Sequence, residues 1–296
     1  MKIGILAKSS NTYSNHRLLH AGKACGHEMH LINISFCYMN ISATHPEVYY
    51  RDSKVLNNID ALIPRFNAAN TSYGTAVLRQ FEGMGVYSLN NAISINSSRD
   101  KLRAVQLLTR KSIPMPITGF ADSPQDAEKL INLVGGAPLI VKILDGTVGK
   151  GIIFTETQQA AVSVINAFKH LKANILVQEY IKEAEGRDIR CFVIGQKVLA
   201  AIQRSPETNN TKQGFHATDA IPIKLKATER KMVLLAAKAM KLNIASVDLI
   251  RAQRGPLILD IDPCPDLELL ERTTGKDLAL KIIHFIEEQK NIFNNK

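Results

Sequence analysis

The sequence predicts a mixed α/β (α+β) fold, and three observations carry that reading. The chain opens with an apolar strand, a helical stretch and a second apolar strand, the pattern of a parallel α/β unit. A compact middle region runs helix, strand, glycine-rich loop, strand, helix. The remainder holds two pairs of strands, 188–204 and 245–262, with a strong helix between them.

Taken in order, KIGILAK (2–8) reads as a buried strand, Leu18 to Cys25 as a helix and MHLINI (29–34) as the second strand. A further helix spans roughly Thr75 to Met84, with Leu78, Phe81 and Met84 on one face. These elements suggest a first domain over 1–95. Ser98 is placed to cap a helix through SRDKLRAVQLLTRK. After the break at PMP (114–116), Ser123-Pro124 starts a helix that ends at Gly135-Gly136. Strands PLIVKIL (138–144) and GIIFTET (151–157) and a helix from Gln159 to Leu171 complete a second domain, 96–174. ILVQEYI (175–181) opens the third, 175–296. There DIRCFVIG and KVLAAIQR form a hairpin turning at Gly195-Gln196. A helix over Thr228–Leu242, strands ASVDLIRA and PLILDID, and a closing helix over Leu278–Gln289 follow.

Lys and Arg outnumber Asp and Glu by 37 to 27 in 296 residues, a net charge of +10. Such a balance suits an anionic partner such as ATP, an acidic substrate or nucleic acid, and equally serves solubility. No basic run is interleaved with aromatics and Trp is absent, so direct RNA binding is not indicated. No apolar window is long enough for a membrane span, and Met1 to Ile5 runs into a strand with no basic n-region of a secretory signal. Four scattered cysteines without a CxxC pair fit reduced thiols in the cytoplasm.

DGTVGKG (145–151) lies between two strands, which excludes a Walker P-loop; Leu144 also stands where that motif needs Gly. Gly146, Gly149 and Gly151 fit a lid whose backbone N–H groups meet phosphate, or an ordinary tight hairpin. Lys142 interrupts an apolar strand. It is either buried and in need of an anion, or on a solvent face. With Lys101 it suits the phosphates of a nucleotide. Glu179-Tyr180-Ile181, at a strand end, fits backbone contact to an adenine ring, and Asp188 fits both ribose hydroxyls. Asp248, Asp260 and Asp262 interrupt apolar runs, and positions 260 and 262 share one strand face. Adjacent carboxylates repel unless a cation lies between them, and oxygen-only ligands select Mg²⁺ or Mn²⁺. The alternative is a half-exposed face of solvated aspartates. His16 and His20, one helical turn apart, read as a polar helix face rather than a zinc site.

Assembled, these features resemble the ATP-grasp fold, and most closely the RimK family of ribosomal-protein glutamate ligases. The likeness covers nearly the whole chain: CYMN, IPR, YGTA, LRQFE, RDKLR, QLL, GGAPL, VQEYIKEA, DIRC, RGPL and TTG. It implies an ATP-dependent carboxylate–amine ligase that proceeds through an acyl phosphate. The implied cofactors are ATP and Mg²⁺ or Mn²⁺ as two ions. The implied partners are L-glutamate and an acidic C-terminal peptide or ribosomal protein as acceptor, with a homo-oligomer left open. Nucleotide contacts would fall to Lys101, Lys142, the lid glycines, Glu179, Tyr180, Ile181, Asp188, Lys212, Gln213 and Gly214. Arg190 and Lys212 would be catalytic, and Asp248, Asp260 and Asp262 the metal ligands.

The chain departs from the family where phosphoryl transfer would occur. Asp260-Ile-Asp262 replaces Glu-x-Asn, shortening one ligand by about 1.5 Å and adding a charge at the other. Lys212-Gln213-Gly214 replaces Arg-x-Asn, and lysine keeps the charge without the planar fork. Asp266 replaces a loop Gly. A catalytically weakened nucleotide-binding paralogue, acting as a regulatory module, is the alternative reading.

Overall fold

The computed structural model describes residues 1–9, 11–51, 54–121, 127–144, 151–206 and 220–294. Strand β1 (Lys2–Ala7), helix α1 (Tyr13–Ala24) and strand β2 (Glu28–Asn33) form the expected parallel unit, with Thr12 accepting from the Asn15 N–H at the helix start. Strands β3 (Cys37–Asn40), β4 (Glu47–Tyr50) and β5 (Lys54–Val55) make a small antiparallel sheet. β6 (Ala61–Pro64), α2 (Thr71–Gly83) and β7 (Tyr87–Ser88) complete a four-stranded parallel sheet in the order β2-β1-β6-β7.

Helices α3 (Ala92–Arg99) and α4 (Lys101–Thr109) replace the single helix expected from Ser98. Ser98 is buried inside α3 and donates to the Ser94 carbonyl, while Asp100 caps α4 by accepting from the Arg103 N–H. Aspartate is as good a cap as serine, and here it alone has extended backbone geometry.

β8 (Thr118–Ala121), α5 (Ala127–Leu133), β9 (Leu139–Ile143), β10 (Ile152–Thr155), α6 (Gln158–His170) and β11 (Ile175–Glu179) build the second unit. Its antiparallel sheet runs β10-β9-β11-β8, with α5 and α6 packed on one face through Leu139, Val141, Ile131, Ile165 and Val177. Residues 175–179 therefore belong to this sheet and do not open the third block. β11 lies between β8 and β9, where its backbone is paired on both edges. The start expected at Ser123-Pro124 lies outside the described residues.

The third unit is an antiparallel sheet ordered β14-β13-β12-β15-β16. It comprises β12 (Asp188–Ile194), β13 (Lys197–Arg204), β14 (Ala220–Pro222), β15 (Ile244–Ala252) and β16 (Gly255–Asp262). The β12–β13 turn falls at Gly195, whose φ of +55° suits glycine; a Cβ there would lie 2.9 Å from the Phe285 ring. Helix α7 (Ala227–Ala239) covers one face. Helices α8 (Glu268–Thr274) and α9 (Leu278–Asn294) follow. Leu278, Ile282, Ile283 and Ile286 of α9 join Ile3, Ile5 and Leu18 in one core, which also takes in Phe192 and Ile202. Buried Asn90 ties the first unit to the third: its amide donates to the Ile244 and Pro263 carbonyls at 2.8 Å, and its oxygen accepts from Asn243 and Ile244 N–H groups.

Candidate active site

Alternation along the third sheet sends Cys191, Val247, Leu249 and Ile261 toward α7. Asp188, Arg190, Asp248, Asp260 and Asp262 therefore share the opposite face. A bulge at Leu259 keeps this pattern: Leu249 opposes Ile258, whereas Asp248 opposes Asp260. The extra residue lets apolar Ile258 reach the α7 core while Asp260 still faces Asp248.

Each carboxylate on this face has a cation. Arg190 grips Asp248 with Nε at 2.8 Å and Nη2 at 2.7 Å. Arg204 forks onto Asp188, with Nε at 2.7 Å, and reaches Asp248 through Nη2 at 2.9 Å. Lys101, the first residue of α4, donates to Asp260. Arg99, at the end of α3, meets Asp262 at 3.1 Å. Burial would push the Asp260 carboxyl up, but Lys101, then Lys142 and the Ile261 N–H, pull it down to about 2. Asp248 is also held below the usual carboxylate range, because Arg190 and Arg204 outweigh its burial. Asp188 goes the other way: burial, with help from the Asp248 charge, outweighs Arg204 and raises it.

Lys142 comes from the lid sheet, on the face opposite α5 and α6. Burial lowers its ammonium to about 8, Lys101 adds to this, and Asp260 opposes it. Its interaction with Lys101, Asp248 and Asp260 brings the second and third sheets together around one charged cluster. Four carboxylates (188, 248, 260, 262) face five cations (99, 101, 142, 190, 204), so the cluster retains positive charge for a polyphosphate. The donor chemistry also fits Mg²⁺, since the carboxylates offer only oxygen. The expected three-aspartate metal set is not gathered, however. Among the described residues no group of three or more His, Cys, Asp or Glu lies together as a metal centre. Asp248 spends its oxygens on two arginines, whereas Asp260 has Lys101 and Asp262 has Arg99.

At the strand end, Glu179 does not present its carboxylate to the cleft. Arg254, in the β15–β16 turn, holds it at 2.7 and 2.5 Å, and the Ile117 N–H donates at 3.0 Å. The Arg254 bonds, with that N–H and against burial, lower its pKa. Tyr180 packs its ring on Phe154 of the lid at 4.6 Å. Ile181 is buried. Gly151 closes the lid hairpin, its carbonyl accepting from the Ile143 N–H at 2.8 Å with φ +114°. Gly146, Gly149, Lys212, Gln213 and Gly214 lie outside the described residues.

Three partners were not anticipated from sequence: Arg204, Arg99 and Arg254. Arg99 stands in the RDKLR stretch, two residues before Lys101, and that proximity is a usable sequence signal. Arg254 stands in RGPL, but nothing in that motif points toward Glu179.

A charged cleft between an antiparallel lid and an antiparallel floor, preceded by a parallel α/β unit, defines an ATP-grasp enzyme. The RimK PreATP-grasp domain matches residues 1–95 and the RimK-like ATP-grasp domain matches residues 98–286. The chain belongs to the RimK family of ATP-grasp ligases, which form C–N bonds. A probable alpha-L-glutamate ligase of Legionella pneumophila (strain Corby) is 52% identical over 290 residues, 98% of this chain and 96% of that one. A Vibrio cholerae protein of the same description, from strain O395, is 52% identical over 289 residues, 97% and 96% of the two chains. Among solved structures, the ATP-grasp ligase PsnB complexed with minimal precursor, Mg and ADP superposes with a TM-score of 0.74 at 16% identity, covering 97% of this chain and 98% of that one. Among the described residues no helix is long and apolar enough to cross a membrane.

Proposed function

We propose that this protein joins the amine of L-glutamate to the C-terminal carboxylate of an acidic acceptor, either a ribosomal protein or an oligo-glutamate chain, through an acyl phosphate. Relatives 52% identical over nearly the whole chain are named probable alpha-L-glutamate ligases, and that observation carries the reading. ATP, bound with Mg²⁺ or Mn²⁺, supplies the phosphoryl group that activates the carboxylate.

The residues divide the work by position. Lys101 and Lys142 approach from two different units and would hold phosphate oxygens as point charges. Backbone groups of Glu179, Tyr180 and Ile181 would meet the adenine, with the Glu179 side chain bracing the strand end through Arg254. Asp188, kept beside a cation by Arg204, would take the ribose. Asp260 and Asp262 would ligate the metal, and Asp248, locked by two arginines, would orient Arg190 toward the transferring group. Lys212 is proposed as the further cation there, by resemblance alone.

The test incubates the protein with ATP, Mg²⁺, L-glutamate and either oligo-glutamate or purified ribosomal proteins. ADP release should require both glutamate and acceptor, and acceptor mass should rise in steps of one glutamyl residue. ADP release without any mass gain on either acceptor would refute the reading.

A further inference from the structure

A cavity of about 760 Å³ opens beside Asp262, at the carboxyl ends of β1, β2 and β6 and against the loop after β16. The carboxyl ends of strands in an open parallel sheet are where such folds bind ligands. The described lining carries Lys8, Arg51, Arg65 and Arg99 against Asp262 and Asp266. Both acids are already engaged: Asp262 with Arg99, and Asp266 with the Ser14 hydroxyl at 2.5 Å. The cavity therefore presents surplus positive charge.

Its wall also holds polar atoms without partners. Arg65 and Arg99 each bury an Nε–H, and Asn15 buries Oδ1, with no hydrogen-bond partner among the described atoms. Buried unpaired groups are few in folded proteins. Of the four such side-chain atoms among the described residues, three belong to residues lining this cavity.

The cations are graded. Arg65 and Arg99 are part-buried at the Asp262 end, whereas Lys8 and Arg51 are exposed. Arg51 is also fixed in place, its guanidinium 4.9 Å from the Phe36 ring centre and 5.4 Å from that of Tyr50. A single amino acid would use one or two of these cations, whereas a run of carboxylates uses all four.

We propose that this cavity binds the acidic C-terminal tail of the acceptor. The terminal carboxylate lies at Arg65 and Arg99 beside Asp262, and the preceding side-chain carboxylates lie on Lys8 and Arg51. The proposal rests on the ligase reading above, since it sets the terminal carboxylate next to the phosphoryl end of the site.

Binding of fluorescein-labelled tetra-glutamate, without ATP, tests it by anisotropy. Tetra-glutamine and C-terminally amidated tetra-glutamate should each bind at least about 10-fold more weakly, as expected when charge-assisted contacts are lost. Lys8→Gln and Arg51→Gln should each weaken binding about 2- to 5-fold, the range for exposed pairs, and together flatten its salt dependence. Arg65→Lys, which keeps charge but loses the fork, should weaken binding about 10-fold while ATP affinity stays as in wild type. Excess free L-glutamate should displace the peptide poorly. Equal binding of the glutamine peptide, wild-type affinity in the Lys8→Gln/Arg51→Gln double variant, or ready displacement by free glutamate would overturn the assignment. Ligation onto oligo-glutamate at the wild-type acceptor KM in the Lys8→Gln/Arg51→Gln double variant would remove this site and leave the ligase reading. Charge-dependent peptide binding without ligation onto any acceptor would do the reverse.

Discussion

Arg204 is the residue whose removal most directly tests the charge architecture of the cleft. Arg204→Ala strips Asp188 of the cation hydrogen-bonded to it, whereas Asp248 keeps the two bonds from Arg190 at 2.8 and 2.7 Å. The side chains of Arg204 and Asp188 are only 14% and 19% exposed, so water replaces little of the loss. Breaking a buried pair by deleting one partner costs about 3–5 kcal/mol, and the residual exposure argues for the lower end, about 3. For a chain of this size that lowers Tm by about 6–12 °C. The pH dependence gives the sharper signature. Asp188 is already raised by burial, and without Arg204 it rises further. A raised carboxyl disfavours the charged folded form, so the deficit is full above the folded pKa and disappears as pH falls through it. The difference in denaturation free energy between wild type and Arg204→Ala should therefore be largest where Asp188 is ionised and shrink as acidification protonates it. Adding Asp188→Ala should recover most of the loss, because it removes the orphaned carboxylate. A pH-independent deficit, or no recovery in the double variant, would refute this reasoning.

Lys142, lowered to about 8 by burial, should take up a proton when polyphosphate binds above that pH. Calorimetry of ATP binding at about pH 8.5 in buffers of different ionisation enthalpy should show that uptake in wild type and not in Lys142→Met; identical buffer dependence in the two would exclude a phosphate-facing ammonium. At Lys212, the rates should order as Lys212→Arg at or above wild type, and Lys212→Ala about 10²–10³ below the arginine variant with ATP affinity little changed, as befits a contact made to developing charge. Steady-state ADP release measures this, and wild-type turnover in the alanine variant would remove Lys212 from the reaction.

The parts of the site that were legible in the sequence are those that periodicity controls. Asp260 and Asp262 occupy one strand face because side chains alternate, and the turn at Gly195-Gln196 follows from its composition and flanking strands. What escaped depends on single-residue departures from register. Counting back from the β12–β13 turn without a bulge sets Gln203 opposite Asp188. The extra residue at Leu199 shifts the ladder so that Arg204 takes that place. No local signal announces such a bulge. Ser98 misled because serine and aspartate cap equally well, and only the chain's path showed that the first helix had not yet ended there. The β3–β5 sheet went unread for a related reason: strands of four, four and two residues are too short for alternation to register. Arg99, by contrast, lies in RDKLR two residues before Lys101, where local spacing alone does not assign it to Asp262.

The packing of α9 on the parallel sheet has a consequence for how the chain is made. All four strands of that sheet have been synthesised once Ser88 has left the ribosome, yet the helix that covers Ile3, Ile5 and Leu18 begins only at Leu278. Throughout translation of the two intervening sheets, one apolar face of the earliest domain stays bare, a surface on which nascent chains aggregate or recruit chaperones. Its closure joins residues nearly a chain length apart, the kind of distant contact that slows folding. The second unit, whose core is built from its own residues, can thus mature before the unit that precedes it in sequence, so that part of the enzyme's maturation runs against the direction of its synthesis.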